Sequence, residues 1–190
     1  QNVNSYKWKD INFPALLEMV ASISPLLRVR FSTSHPKDMD ESVVRSMLKY
    51  ENICRHIHLP VQSGSNNMLK QMNRKYTREL YIEKVEKLRA ASPNIAITTD
   101  IIVGFPGESI EDFDMTLQLL ETVQFDNLFV FEYSDRSLTP SSNFTNKIPK
   151  KIKNERLQEV FRRQKHILNM KEQRLIGNVF PVLVEGVSKK

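Results

Sequence analysis

The sequence predicts an α/β fold, a parallel sheet arranged as an open or partial barrel. Three observations predict it. Apolar, strand-like runs alternate with amphipathic helical stretches through the body of the chain. Each run ends in a small polar loop shaped by Gly, Pro or Ser. About four such units can be read, and a chain of 190 residues is too short for a closed eight-unit barrel of about 250 residues. Repeated strand–helix units imply right-handed crossovers.

The elements follow in order. Asn12-Phe13-Pro14 opens a helix with a capping Asn and an early Pro, and Phe13, Leu16, Leu17, Val20 and Ile23 mark its inward face. Residues 27–32 read as a strand, followed by the loop Thr33-Ser34-His35-Pro36. A second helix runs from about Asp40 to Tyr50, with Val43, Val44, Met47 and Leu48 inward. Residues 56–61 form the next strand, ending in Gln62-Ser63-Gly64-Ser65. A short helix near 67–72 precedes a longer one capped by Thr77, with Leu80, Tyr81, Val85 and Leu88 on its face. Residues 95–103 are the most apolar strand, ending in Gly104-Phe105-Pro106-Gly107-Glu108. Ser109 and Asp112 have capping-box spacing for the helix that follows. Residues 128–133 are another strand, 138–153 read as irregular, and a long helix spans about 154–175 before Gly177. Residues 179–185 look like a strand that begins something new.

Composition narrows the classes. The chain is 40% hydrophobic, ordinary for a globular protein. No run approaches the 18 apolar residues of a membrane span, and Gln1-Asn2-Val3-Asn4-Ser5-Tyr6 has neither the basic nor the apolar region of a signal peptide. One cysteine, Cys54, leaves no disulfide framework and no Cys-rich metal site, so a reducing, cytoplasmic location is expected. The +6 net charge is unevenly placed: residues 1–144 hold 16 Lys/Arg against 18 Asp/Glu, residues 145–190 hold 12 against 4. That basic end suggests contact with a polyanion, nucleic acid first, or else a well-solvated helix. No nucleophile–base pair and no phosphate loop of the usual spacing is present. His56 and His58 fall on one face of a strand, but without a third ligand they read as packing and hydrogen-bonding residues.

In parallel α/β folds, ligands bind at the carboxyl ends of the strands. Three of the five glycines lie in two of the loops at those ends. His58-Leu59-Pro60-Val61-Gln62-Ser63-Gly64-Ser65, then Met72-Asn73-Arg74-Lys75-Tyr76-Thr77, resembles the central signature of the radical S-adenosylmethionine (SAM) tRNA methylthiotransferases. Asp100 to Glu108 resembles their next signature. Gln1 to Tyr6, Phe31 to Pro36 and Tyr133-Ser134 also match, and the opening motif is most similar to the members that act on isopentenylated adenosine.

The resemblance implies a partial (β/α)6 barrel over residues 1–150, a connecting helix over 151–177, and the first strand of a TRAM β-barrel over 178–190. It implies SAM and two 4Fe–4S clusters in the full-length enzyme. The cluster-binding Cys-x3-Cys-x2-Cys motif would precede residue 1, so this chain is expected to be a fragment, holding no cluster and inactive alone. SAM would be met by Gln62 and Ser63, by Arg74 at the methionyl carboxylate, by Asp100 at the ribose or on Arg74, by Gly104 beside the adenine, and by Thr33. The implied reaction adds a methylthio group to C2 of isopentenyl-adenosine next to the anticodon. Its partners are the tRNA anticodon stem-loop and an external electron donor. The helix around Arg162-Arg163 and the Lys150-Lys151 loop would touch RNA. Alternatives are a methylthiotransferase for threonylcarbamoyl-adenosine or for a ribosomal-protein aspartate, a non-enzymatic RNA-binding module, and an unrelated α/β enzyme.

Overall fold

The computed structural model describes residues 2–32, 34–39, 41–137, 139–180, 182–184 and 186–187. A small antiparallel ribbon, β1 (Lys7–Trp8) and β2 (Ile11–Asn12), leads into α1 (Phe13–Ala21). Asn12 caps α1 by accepting from the Ala15 N–H at 3.0 Å. Helix α2 (Glu41–Lys49) follows, then β3 (His56–His58), α3 (Asn66–Gln71) and α4 (Arg78–Ala91). Next come β4 (Ala96–Val103), α5 (Ile110–Val123), β5 (Asn127–Glu132) and α6 (Lys150–Gln173). Strands β3, β4 and β5 are parallel and adjacent in that order.

A fourth strand position lies outside β3, but among the described residues only Val29 forms a bridge there, to Ile53. The expected strand over 27–32 is therefore reduced to one ladder step. It has a neighbour on one side only, and Leu27 is exposed rather than packed. The helix entering it also stops short: Ile23, expected inward, is 73% exposed beyond the end of α1. The strand expected over 179–185 is not formed at 179, 180 or 182–184, and Pro181 and Glu185 lie outside the described residues. Among the described residues no neighbouring strand meets them, and they stand open to solvent. The region read as irregular, 138–153, contains a turn of 3-10 helix at Pro140–Asn143 and the start of α6. Pro149 at the helix entrance allows that early start, because its missing N–H would have had no helical partner.

The sheet is covered on one side. Ile57, Ile97, Ile101, Val103, Leu128 and Val130 are buried in the core with Leu17, Met47, Tyr81, Val85, Leu119 and Leu120 of the helices. Helix α6 joins the same core through Val160 and Ile167. Residues at alternate positions point the other way. In register across the strands, His58 meets Thr98, Asp100 meets Phe129 and Ile102 meets Phe131. Phe129 and Phe131 are each 53% exposed there, so no helix covers this second face. Of the described helices, none is long and apolar enough to cross a membrane.

Candidate adenosyl site

Between β3 and Gln62 the chain gains one residue against β4. His58 pairs with Thr98, yet Gln62 pairs with Ile101. The extra residue is a bulge, and three side chains hold it. Thr99 Oγ1 accepts from the Val61 N–H at 3.0 Å and donates to the Leu59 carbonyl at 3.0 Å. Tyr81 Oη donates to the same carbonyl at 2.8 Å. Tyr76 Oη reaches the carbonyls of Pro60 and Val61 at 3.2 and 3.1 Å. Burial drives the Tyr76 phenol up to about 12, so it remains a donor. Sequence reasoning missed these three residues. Their types are common in strands and helices, and their partners lie 15 to 40 residues away.

The bulge delivers Gln62 with φ of 74°, a left-handed backbone that Gln rarely adopts. Its amide N–H donates to the Asp100 carbonyl at 2.8 Å, and its carbonyl accepts from Ile102 at 2.9 Å. Its side chain is largely buried and forms no hydrogen bond with the described residues. Asp100 sits on the uncovered face, with His58 Nε2 3.4 Å from its Oδ1. The other ring nitrogen of His58, and Nε2 of His56, both meet Thr98 Oγ1 at 2.9 and 3.0 Å. Both histidines thus have packing and hydrogen-bonding roles. Burial foremost, with Arg30 and His58 beside it, lowers the His56 imidazole.

The structure therefore places Gln62 beside Asp100 of the central strand β4, joined through the backbone. The expected pairing of Asp100 with Arg74 is not formed. Arg74 follows α3 and forms no ion pair with the described residues. Its charge is felt by His35 and Tyr76 instead. Thr33 lies outside the described residues. Ser63 is wholly buried, its hydroxyl 3.3 Å from that of Thr116 on α5. Gly64 N–H donates to Thr116 Oγ1, and Ser65 and Asn67 both bond to Asp112. This half of the loop is bolted to α5, while Gln62 is bonded to β4 through its backbone alone.

Gly104 has φ of 71° and its N–H donates to Glu108 Oε2 at 2.7 Å. Glu108 is almost wholly buried and paired with Arg156 of α6. Burial raises its carboxyl despite the Gly104 N–H and the Arg156 charge. Among the described residues, no group of His, Cys, Asp or Glu could hold a metal ion. Cys54 is a free, half-buried thiol.

Comparison with known proteins supports the same frame. The sequence model of the radical SAM superfamily matches residues 9–120. The tRNA-2-methylthio-N(6)-dimethylallyladenosine synthase of Thermodesulfovibrio yellowstonii is 51% identical over 98% of this chain. That of Azobacteroides pseudotrichonymphae is 47% identical over 100% of it. The chain spans 43% of the length of each of these relatives. Among solved structures, the radical SAM enzyme coproporphyrinogen III oxidase of Escherichia coli superposes with a TM-score of 0.65. That match is at 17% identity and covers 81% of this chain and 37% of the other. With the family model covering more than half of the chain and a parallel α/β fold agreeing with it, the chain belongs to the radical SAM superfamily.

Proposed function

We propose that this chain supplies the SAM-binding part of a tRNA methylthiotransferase acting at C2 of dimethylallyl (isopentenyl) adenosine. The observation that carries the reading is Gln62, held at a left-handed φ with its side chain unpaired among the described residues, hydrogen-bonded through its backbone beside Asp100 on the open face of the sheet. A polar pair held rigidly by strands suits a ligand rich in hydroxyls and charge. The dimethylallyladenosine type is favoured over the other two substrates by the identity of 47–51% across almost the whole chain.

The residues present fit SAM. The Asp100 carboxylate accepts from ribose hydroxyls, oriented by His58. The unpartnered Gln62 amide meets the ribose or the methionyl group. Arg74 pairs with the methionyl carboxylate, a match for a guanidinium fork. The Gly104 backbone would border the adenine. When bound, SAM supplies the one-electron chemistry that activates the C2–H bond of the target base. The iron–sulfur clusters do not fit this chain: a lone cysteine cannot bind one. Their ligands must come from residues outside it, and this chain alone turns nothing over.

The test uses the protein that carries this chain together with its cluster cysteines, reconstituted anaerobically with iron and sulfide. Reductant, SAM and tRNA bearing dimethylallyl-adenosine are added, and the nucleosides are read by mass spectrometry. Formation of the 2-methylthio nucleoside is expected. Modification of threonylcarbamoyl-adenosine tRNA instead, or none at all, would overturn the substrate. Equal SAM binding by wild type and Arg74→Ala in equilibrium dialysis would remove Arg74 from the site.

A further inference from the structure

We infer that Arg156, on α6, is a positioning residue for the turn after β4 and thereby for SAM. The inference rests on the reading of Gly104 as a wall of the adenosyl site. Arg156 lies outside the segment matched by the family model, which ends at residue 120. It is nonetheless one of two charged side chains buried together beneath that turn, at 8% and 2% exposure for Arg156 and Glu108.

The linkage is continuous. Arg156 Nη1 donates to the Glu108 carbonyl at 3.0 Å and to Glu108 Oε2. Oε2 also accepts from the Gly104 N–H, so the guanidinium and the amide share one carboxylate oxygen. Glu108 Oε1 is buried with no partner among the described residues, so the carboxylate hangs on these bonds alone. The guanidinium carbon stands 5.2 Å from the centre of the Phe113 ring, a cation–π contact that adds to the pairing.

One turn earlier on α6, Lys153 runs across Gly104. A Cβ at position 104 would stand 2.5 Å from Lys153 Cγ. Lys153 Nζ donates to the Tyr133 carbonyl at 2.8 Å. Helix α6 therefore grips the ends of β4 and β5 at once. The left-handed turn at Gly104 is held by a charge that the chain supplies some fifty residues later.

Removing Arg156 alone would strand a buried carboxylate and risk the fold. The test therefore uses Arg156→Met combined with Glu108→Gln, in the protein carrying its cluster ligands, beside Arg156→Lys. The same pair is made in the chain labelled with 15N-glycine, where five glycines give a readable spectrum. Gly104 exchange with solvent is expected to speed up at least about tenfold in the double variant, with Gly64 unchanged. SAM affinity by equilibrium dialysis is expected to weaken about tenfold, with Arg156→Lys between the two. Unchanged Gly104 protection overturns the linkage. Faster exchange with undiminished SAM affinity overturns the positioning role. Failure of the wild type itself to bind SAM would instead sink the assignment of the pocket on which the inference rests.

Discussion

Thr99 shows how much one side chain can carry. Its hydroxyl both accepts from Val61 N–H and donates to the Leu59 carbonyl, inside a wholly buried site. Thr99→Val keeps the shape and removes both bonds. It is expected to cost about 1–3 kcal/mol in urea unfolding, with Thr99→Ser recovering most of it. The sequence pointed to Asp100 in this strand, because a carboxylate among Ile and Val stands out. It could not point to Thr99, whose neighbours in space are remote along the chain. The glycines separate in the same way. A Cβ at Gly64 would stand 2.6 Å from Thr116 Cα, and backbone cannot step aside. At Gly104 the obstacle is the flexible Lys153 side chain, and the positive φ is the second penalty. Gly64→Ala is thus expected to destabilise more than Gly104→Ala. Adding Lys153→Ala should partly rescue only the latter, a coupling that a double-mutant cycle on thermal midpoints would read.

The helices were legible because their signals are local. Asn12, Thr77 and Ser109 each accept from a backbone N–H three residues on. Asp112 completes the box at α5 and also receives Ser65 and Asn67. Burial works to raise its carboxyl, but those bonds prevail and hold it below the ordinary value. Ser109→Ala is expected to cost about 1 kcal/mol, measured by chemical denaturation. Strands were less legible, since a strand exists only where a neighbour lies alongside. The run 27–32 has one on one side, and the described apolar residues after Gly177 have none among the described residues. The bulge before Gln62 was invisible for the same reason: register is a property of two segments, not of one.

Across the whole molecule, the lopsided charge finds its complement inside the chain. Lys147, Lys150, Arg156, Arg163 and Lys171 of the basic end pair with Asp135, Glu132, Glu108, Glu121 and Asp126 of the body. Arg162 and Arg163 are further engaged by Glu159. The composition thus described an internal clasp as well as a surface, a distinction no tally of charges can make. Acid sensitivity is also a property of the whole. Burial foremost lowers the imidazoles of His35 and His56 below 6.5. As pH falls through 6.5 the unfolded chain takes up those protons first, so their contribution is complete above 6.5 and drains away below it. The urea midpoint is expected to fall between pH 7.5 and 5.5, and to fall less in a His35→Asn, His56→Asn variant. Glu159, held near 2 by Arg162 and Arg163, titrates well below that window. The uncovered side of the sheet has one more consequence. Along β4 and β5, every second residue answers to the core, while the apolar ones between, Ile102, Phe129 and Phe131, are packed far more loosely. A randomised library at those positions is expected to shift the thermal midpoint far less than one at Ile101, Leu128 or Val130.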